Sequence, residues 1–160
     1  MRIPLLSLAL LATTSLVAVA QQDTAYHRKI YADINARLAE FGSNTVKIKR
    51  DGASEKTAVK VWFEASIVRK VSLTETQGSD YTRTTEFYYN PEQVLTFVFM
   101  TDKEGKTTQE SRMYFSKTGD QMIKWLVANN ESVPPASHHF GDFGKELIRV
   151  SDEILSQVGD

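Results

Sequence analysis

Three short aromatic triplets carry the first chemical signal in this sequence. Val61-Trp62-Phe63, Phe87-Tyr88-Tyr89 and Met113-Tyr114-Phe115 begin 26 residues apart. Their central residues, Trp62, Tyr88 and Tyr114, each follow a charged residue two positions earlier, Lys60, Glu86 and Arg112. Residues two apart on an extended strand share a face, so each ring and its charge point the same way. Lys124 joins this set on the last segment of the kind. Rings beside arginine are what partner-binding surfaces are enriched in. The same residues also suit an ordinary solvent-facing sheet, in which aromatics and charges pair across strands. The sequence leaves both readings open.

Residues suited to catalysis or metal binding are few and dispersed. His138-His139 lies near Asp142, and His27 stands far away on the chain. Adjacent residues of an extended loop point apart, so this pair does not make a shared metal site. The sequence holds no Gly-x-Ser-x-Gly, no glycine-rich phosphate loop and no His-Glu-x-x-His. Glu64, Glu75, Glu86, Glu92 and Glu110 are scattered over strand ends and turns, with no two at the spacing of a general acid and base. The expectation is therefore no catalytic residues, no metal and no cofactor. Asn130-Glu131-Ser132 fits the glycosylation acceptor pattern, which is frequent by chance.

The elements that must position the aromatic set follow from periodicity. Tyr26, Ile30, Ile34, Leu38 and Phe41 recur at helical spacing, with Tyr31 flanking the stripe and Arg37 inside it. Asp23 or Thr24 is placed to cap this helix, and Gly42 to end it. From there the period becomes two. Alternating runs at 59–63, 67–73, 84–89, 94–100, 112–115 and 121–127 are separated by turn residues such as Asn90-Pro91-Glu92 and Gly119-Asp120. A further edge strand at 45–49 is weakly signalled. After Pro134-Pro135, the series Phe143, Leu147, Val150, Ile154 and Val158 marks a second amphipathic helix. The expected class is α+β: helix, an antiparallel meander of about six strands in three hairpin units, helix.

Strict alternation sorts these strands into two faces. One gathers Val59, Val61, Phe63, Ile67, Val71, Leu73, Phe87, Tyr89, Leu95, Phe97, Phe99, Met113, Phe115, Ile123, Trp125 and Val127, with Arg69 its one charged member. Burying such side chains is worth about 1.5–3 kcal/mol each before entropy is counted. The two helices are the segments able to cover that face, so both are expected on it. Val68, Val94, Met122 and the aromatic and charged set would then lie on the other side, left open.

The chain begins Met1-Arg2, runs through apolar residues to Ala18-Val19-Ala20, and continues with Gln21-Gln22-Asp23. These are the marks of a cleavable secretory leader over residues 1–20, preceding a single domain at 21–160. The rival, a membrane anchor, fits less well because Thr13, Thr14 and Ser15 interrupt the apolar run and no basic cluster follows. There is no cysteine, which excludes disulfides, thiol catalysis and a lipid-modified cysteine. An exported chain without cysteine fits the periplasm of a Gram-negative bacterium, or secretion from one. The net charge of −1, or −2 once Arg2 leaves with the leader, offers no electrostatic case for nucleic acid or an anionic membrane.

The segments 86–99 and 110–126, with their repeated tyrosine-rich hairpins, resemble a class of small exported bacterial proteins without assigned activities. The likeness spans roughly residues 58–127 and departs from the usual form at Asn90-Pro91-Glu92, where an Asn-Gly or Asp-Gly turn is typical. It implies a helix–meander–helix fold and an exported location, and no site residues. Three functions compete: a non-enzymatic module that binds a protein or envelope component through the open face, a carrier of a small apolar ligand between sheet and helices, and a hydrolase. An open meander has two edges, so pairing with a second copy is also possible.

Overall fold

The structure, a computed structural model, describes residues 14–50 and 56–158. Residues 1–13 of the expected leader lie outside it, and its remainder is described as helical backbone only. The class is α+β. Helix α1 (Thr14–Ala36) leads into eight strands and the chain ends in helix α2 (His138–Val158). The strands are β1 (Gly42–Lys49), β2 (Lys56–Glu64), β3 (Ile67–Gln77), β4 (Tyr81–Tyr89), β5 (Leu95–Glu104), β6 (Thr107–Phe115), β7 (Met122–Val127) and β8 (Glu131–Ser132). They form one antiparallel sheet in strict chain order. The meander is thus as expected, but with eight strands rather than about six. Sequence 45–49 does form an edge strand, and a two-residue strand closes the far side.

α1 starts upstream of the expected caps Asp23 and Thr24 and stops before Phe41. Its last turns tighten, with the Glu40 N–H bonded to the Arg37 carbonyl. That turn tucks Phe41 against the sheet, and Gly42 opens β1 instead of ending the helix.

The third repeated feature is one the sequence does not announce. Register shifts occur between Trp62 and Phe63, between Tyr88 and Tyr89, and between Tyr114 and Phe115. Each leaves one residue of the next strand without a partner: Arg69, Thr96 and Ile123, spaced by 27. Every hairpin unit therefore carries the same β-bulge just after its turn. A bulge bends its strand, sharpens its twist and shifts the phase of alternation by one. It also frees main-chain carbonyls, which side chains then satisfy. Thr96 Oγ1 donates to Tyr88 O at 2.9 Å, Arg69 Nε to Tyr89 O at 3.3 Å, and His27 Nε2 meets Phe115 O at 2.6 Å.

Those phase shifts overturn part of the face assignment. Phe97, Phe99 and Ile123 fall on the side of Trp62, while Val68 and Met122 fall on the side of Val61. One apolar cluster joins Val59, Val61, Phe87, Tyr89, Val98, Met113 and Phe115 to Phe140, Leu147, Val150 and Ile154 of α2. The other joins Trp62, Tyr88, Phe97, Phe99 and Tyr114 to Ile30, Tyr31 and Ile34 of α1 and to Leu38 in the turn that follows it. The two helices lie on opposite faces, not on one. The physical reason is the bulges: by moving large rings across, they make the second face too apolar to stay uncovered.

α2 touches both β7 and β1, strands separated by five others, so the sheet curls around it. At the junction with β7, Gly144 is required, since a Cβ there would lie 2.8 Å from Met122 Cβ. At the other end the Gln157 carboxamide bonds both the N–H and the C=O of Lys49 in β1, at 2.8 and 2.9 Å. α1 rests on β4 and β5, in the middle of the outer, convex face.

Candidate functional site

Cross-strand register places the aromatic and charged set in two neighbouring rows. One runs Lys60, Ser72, Glu86, Phe99, Arg112, Leu126; the other runs Trp62, Lys70, Tyr88, Phe97, Tyr114, Lys124. All seven residues singled out from the sequence thus share one face, and the 26-residue spacing does return them on alternate strands. The expected openness of that face is what fails. Tyr88 and Tyr114 are buried under α1, with the Tyr31 ring 5.0 Å from that of Tyr88 and the His27 ring 5.6 Å from that of Tyr114. Lys60 remains exposed, and Trp62, Glu86, Arg112 and Lys124 are partly so.

Beneath α1 the rows build a polar network. Lys70, buried between the rings of Trp62 and Tyr88 at 5.3 and 4.8 Å, meets Glu86 at 2.6 Å and donates to Asn35 Oδ1 at 3.1 Å. The Tyr88 hydroxyl donates to Glu86 at 3.0 Å and lies 3.3 Å from Asn35 Nδ2. Burial, reinforced by the Glu86 charge, pushes the Tyr88 phenol well above its ordinary pKa, so it acts as a hydrogen-bond donor. Just past the helix end, Glu64 bridges Arg37 and the bulge residue Arg69. Pairing with Arg37 holds the Glu64 carboxyl below its usual range. These contacts fix where α1 sits.

A straight helix on a convex sheet cannot follow the strands that fall away at its sides. On the β5–β7 side this leaves a groove of about 910 Å³, lined by Arg28 and Tyr31 of α1, Phe97, Phe99, Glu110, Arg112, Tyr114 and Leu126 of the sheet, and Asn130. Its size is that of ordinary small-molecule sites. Tyr31, Phe97, Phe99 and Tyr114 supply four rings, with Tyr31 and Phe97 edge to face at 5.4 Å. Burial and the nearby Glu86 carboxylate push the Tyr31 phenol above its ordinary value. At the rim Arg112 lies over the Phe99 ring at 5.7 Å, donates to Glu110 at 3.0 Å and to Asn130 Oδ1 at 2.9 Å. Asn129 and Asn130 both hold φ of 60°, a conformation non-glycine residues adopt at a cost.

Only Arg112 and Tyr114 of the sequence-derived set line this groove. Lys60, Trp62, Glu86 and Tyr88 lie toward the opposite flank, and Lys124 sits beside Tyr114 in register without lining it. Arg28, Tyr31, Phe97, Phe99, Leu126 and Asn130 were not singled out. Tyr31 flanking the helical stripe was the one available hint, while the Thr96 bulge hid Phe97 and Phe99.

The histidines are dispersed: His27 is buried against Phe115 and Tyr114, and His138 pairs with Asp142 at 3.0 Å on the exposed start of α2. Among the described residues, no three potential metal ligands cluster, and no helix is long and apolar enough to cross a membrane. The fold and groove together define an eight-stranded antiparallel meander held between two helices, with an aromatic-lined cleft beside the first of them. Compared with protein-family models, curated proteins and solved structures, the chain matches none.

Proposed function

We propose that this protein is an exported, non-enzymatic binding module that holds a small amphipathic ligand in the groove between α1 and β5–β7. The observation that carries this reading is the convergence of four aromatic rings and two arginines on one cleft of about 910 Å³. Nearby carboxylates are committed elsewhere, Glu86 to Lys70 and Glu110 to Arg112, which favours retention over acid–base chemistry. The leader supports a bacterial periplasmic or secreted location, where the protein would carry its ligand or present it to an envelope component. Recognition of a partner by the Trp62–Tyr88–Tyr114 row is less favoured, because α1 occupies it.

Titration with 8-anilinonaphthalene-1-sulfonate, an aromatic anion that fluoresces in apolar surroundings, tests the site. Leu126→Trp, which fills the cleft from its partly exposed sheet wall, should weaken binding about tenfold or more, equivalent to about 1.4 kcal/mol, with the thermal melt retained. Equal binding by a folded Leu126→Trp variant would place the ligand elsewhere.

A further inference from the structure

Resting on that binding-module reading, we propose that the groove's ligand is a free monocarboxylic acid with an apolar body, its carboxylate held between Arg28 and Arg112. The charges at the cleft argue for one negative charge. Arg28 and Arg112 contribute two cations, and Glu110, bonded to Arg112, contributes one anion. Glu86, the next acid along the row, is offset by Lys70 at 2.6 Å. One positive charge is left over. Arg28 is exposed and forms no ion pair among the described residues, so it is the cation without an internal claim.

Arg112 is prepared differently. Its two terminal nitrogens each make one bond, to Glu110 and to Asn130, leaving further N–H groups of its five for an incoming oxygen. The left-handed Asn129–Asn130 pair holds that carboxamide in place. Strained backbone at a rim is retained where geometry matters to function. Planar guanidinium groups match the two oxygens of a carboxylate. Below the rim, Phe97, Phe99, Tyr31, Tyr114 and Leu126 offer contact for an alkyl or aryl body. A dianionic phosphate would bring one more charge than the cleft can balance.

Calorimetric titration of the full chain with decanoate, decanol and decylammonium, probes sharing one alkyl chain, separates the body from the head. Decanoate should bind about tenfold or more tightly than decanol, as expected of charge-assisted hydrogen bonds, and decylammonium weakest. Arg28→Gln, at an exposed site, should bring decanoate down to the decanol level and leave decanol unchanged. If all three bind equally, or decylammonium binds best, the carboxylate assignment is overturned while the groove stands. If none binds, the binding reading itself falls. Flotation with phosphatidylglycerol vesicles in the absence of decanoate binding would assign the arginines to a lipid surface and overturn the free-acid proposal.

Discussion

The two faces of this sheet are covered by helices of similar length, yet they are built by different chemistry. Under α2 the contact is mostly hydrocarbon: Val61, Phe87, Met113 and Phe115 meet Leu147, Val150 and Ile154, with polar contacts at the Tyr89–Ser151 hydroxyl pair, 3.0 Å apart, and at Gln157 on Lys49. Under α1, rings alternate with a lysine, a glutamate and an asparagine. The concave side lets a helix touch many strands at once, so area alone suffices. The convex side gives a helix a narrow ridge, and position there must be specified by directional bonds. The lesson is that curvature divides labour. One face supplies stability, the other sets geometry and leaves a cleft.

Neighbouring residues allow that division to be broken. Phe87 and Tyr88 are adjacent, both fully buried, and point to opposite helices. Phe87→Ala should cost about 3–5 kcal/mol in urea unfolding and lower the protection of every element. A loss confined to one helix would show that the α2 face does not hold the domain together. Lys70→Met comes next, at about 1–3 kcal/mol, because Glu86 loses its cation. Hydrogen exchange should quicken in α1 and stay unchanged in α2, and adding Glu86→Gln should restore part of the loss. If both helices respond alike, the faces are not independent. Arg149→Ala, on the exposed side of α2 where it pairs with Glu146 and Glu153, should change stability by less than about 1 kcal/mol, and a larger effect would show that α2 depends on more than its apolar side.

Much of this architecture is legible in the residues. The 26-residue repeat encodes the hairpins, and the helical stripes are visible from Tyr26 and from Phe143 onward. The sequence understates strand lengths because outer segments such as Thr107–Glu110 of β6 and Thr82–Arg83 of β4 are polar or charged throughout, without an apolar member to mark the alternation. The bulges were invisible for a deeper reason. An unpaired residue changes the phase of a strand without changing its composition, and Arg69, Thr96 and Ile123 have no chemistry in common. The side of the sheet assigned to Phe97 and Phe99, and with it the covering of Tyr88 and Tyr114, turned on that one-residue shift. The cleft follows from curvature, a property of the assembled sheet rather than of any segment.

Gln157 leaves one more consequence. A sheet that ends in a bare strand invites another chain to lengthen it. By occupying both peptide groups of Lys49, the last turn of α2 stands in for a ninth strand at that end of β1, so a chain adding to this edge would find its final rung already taken.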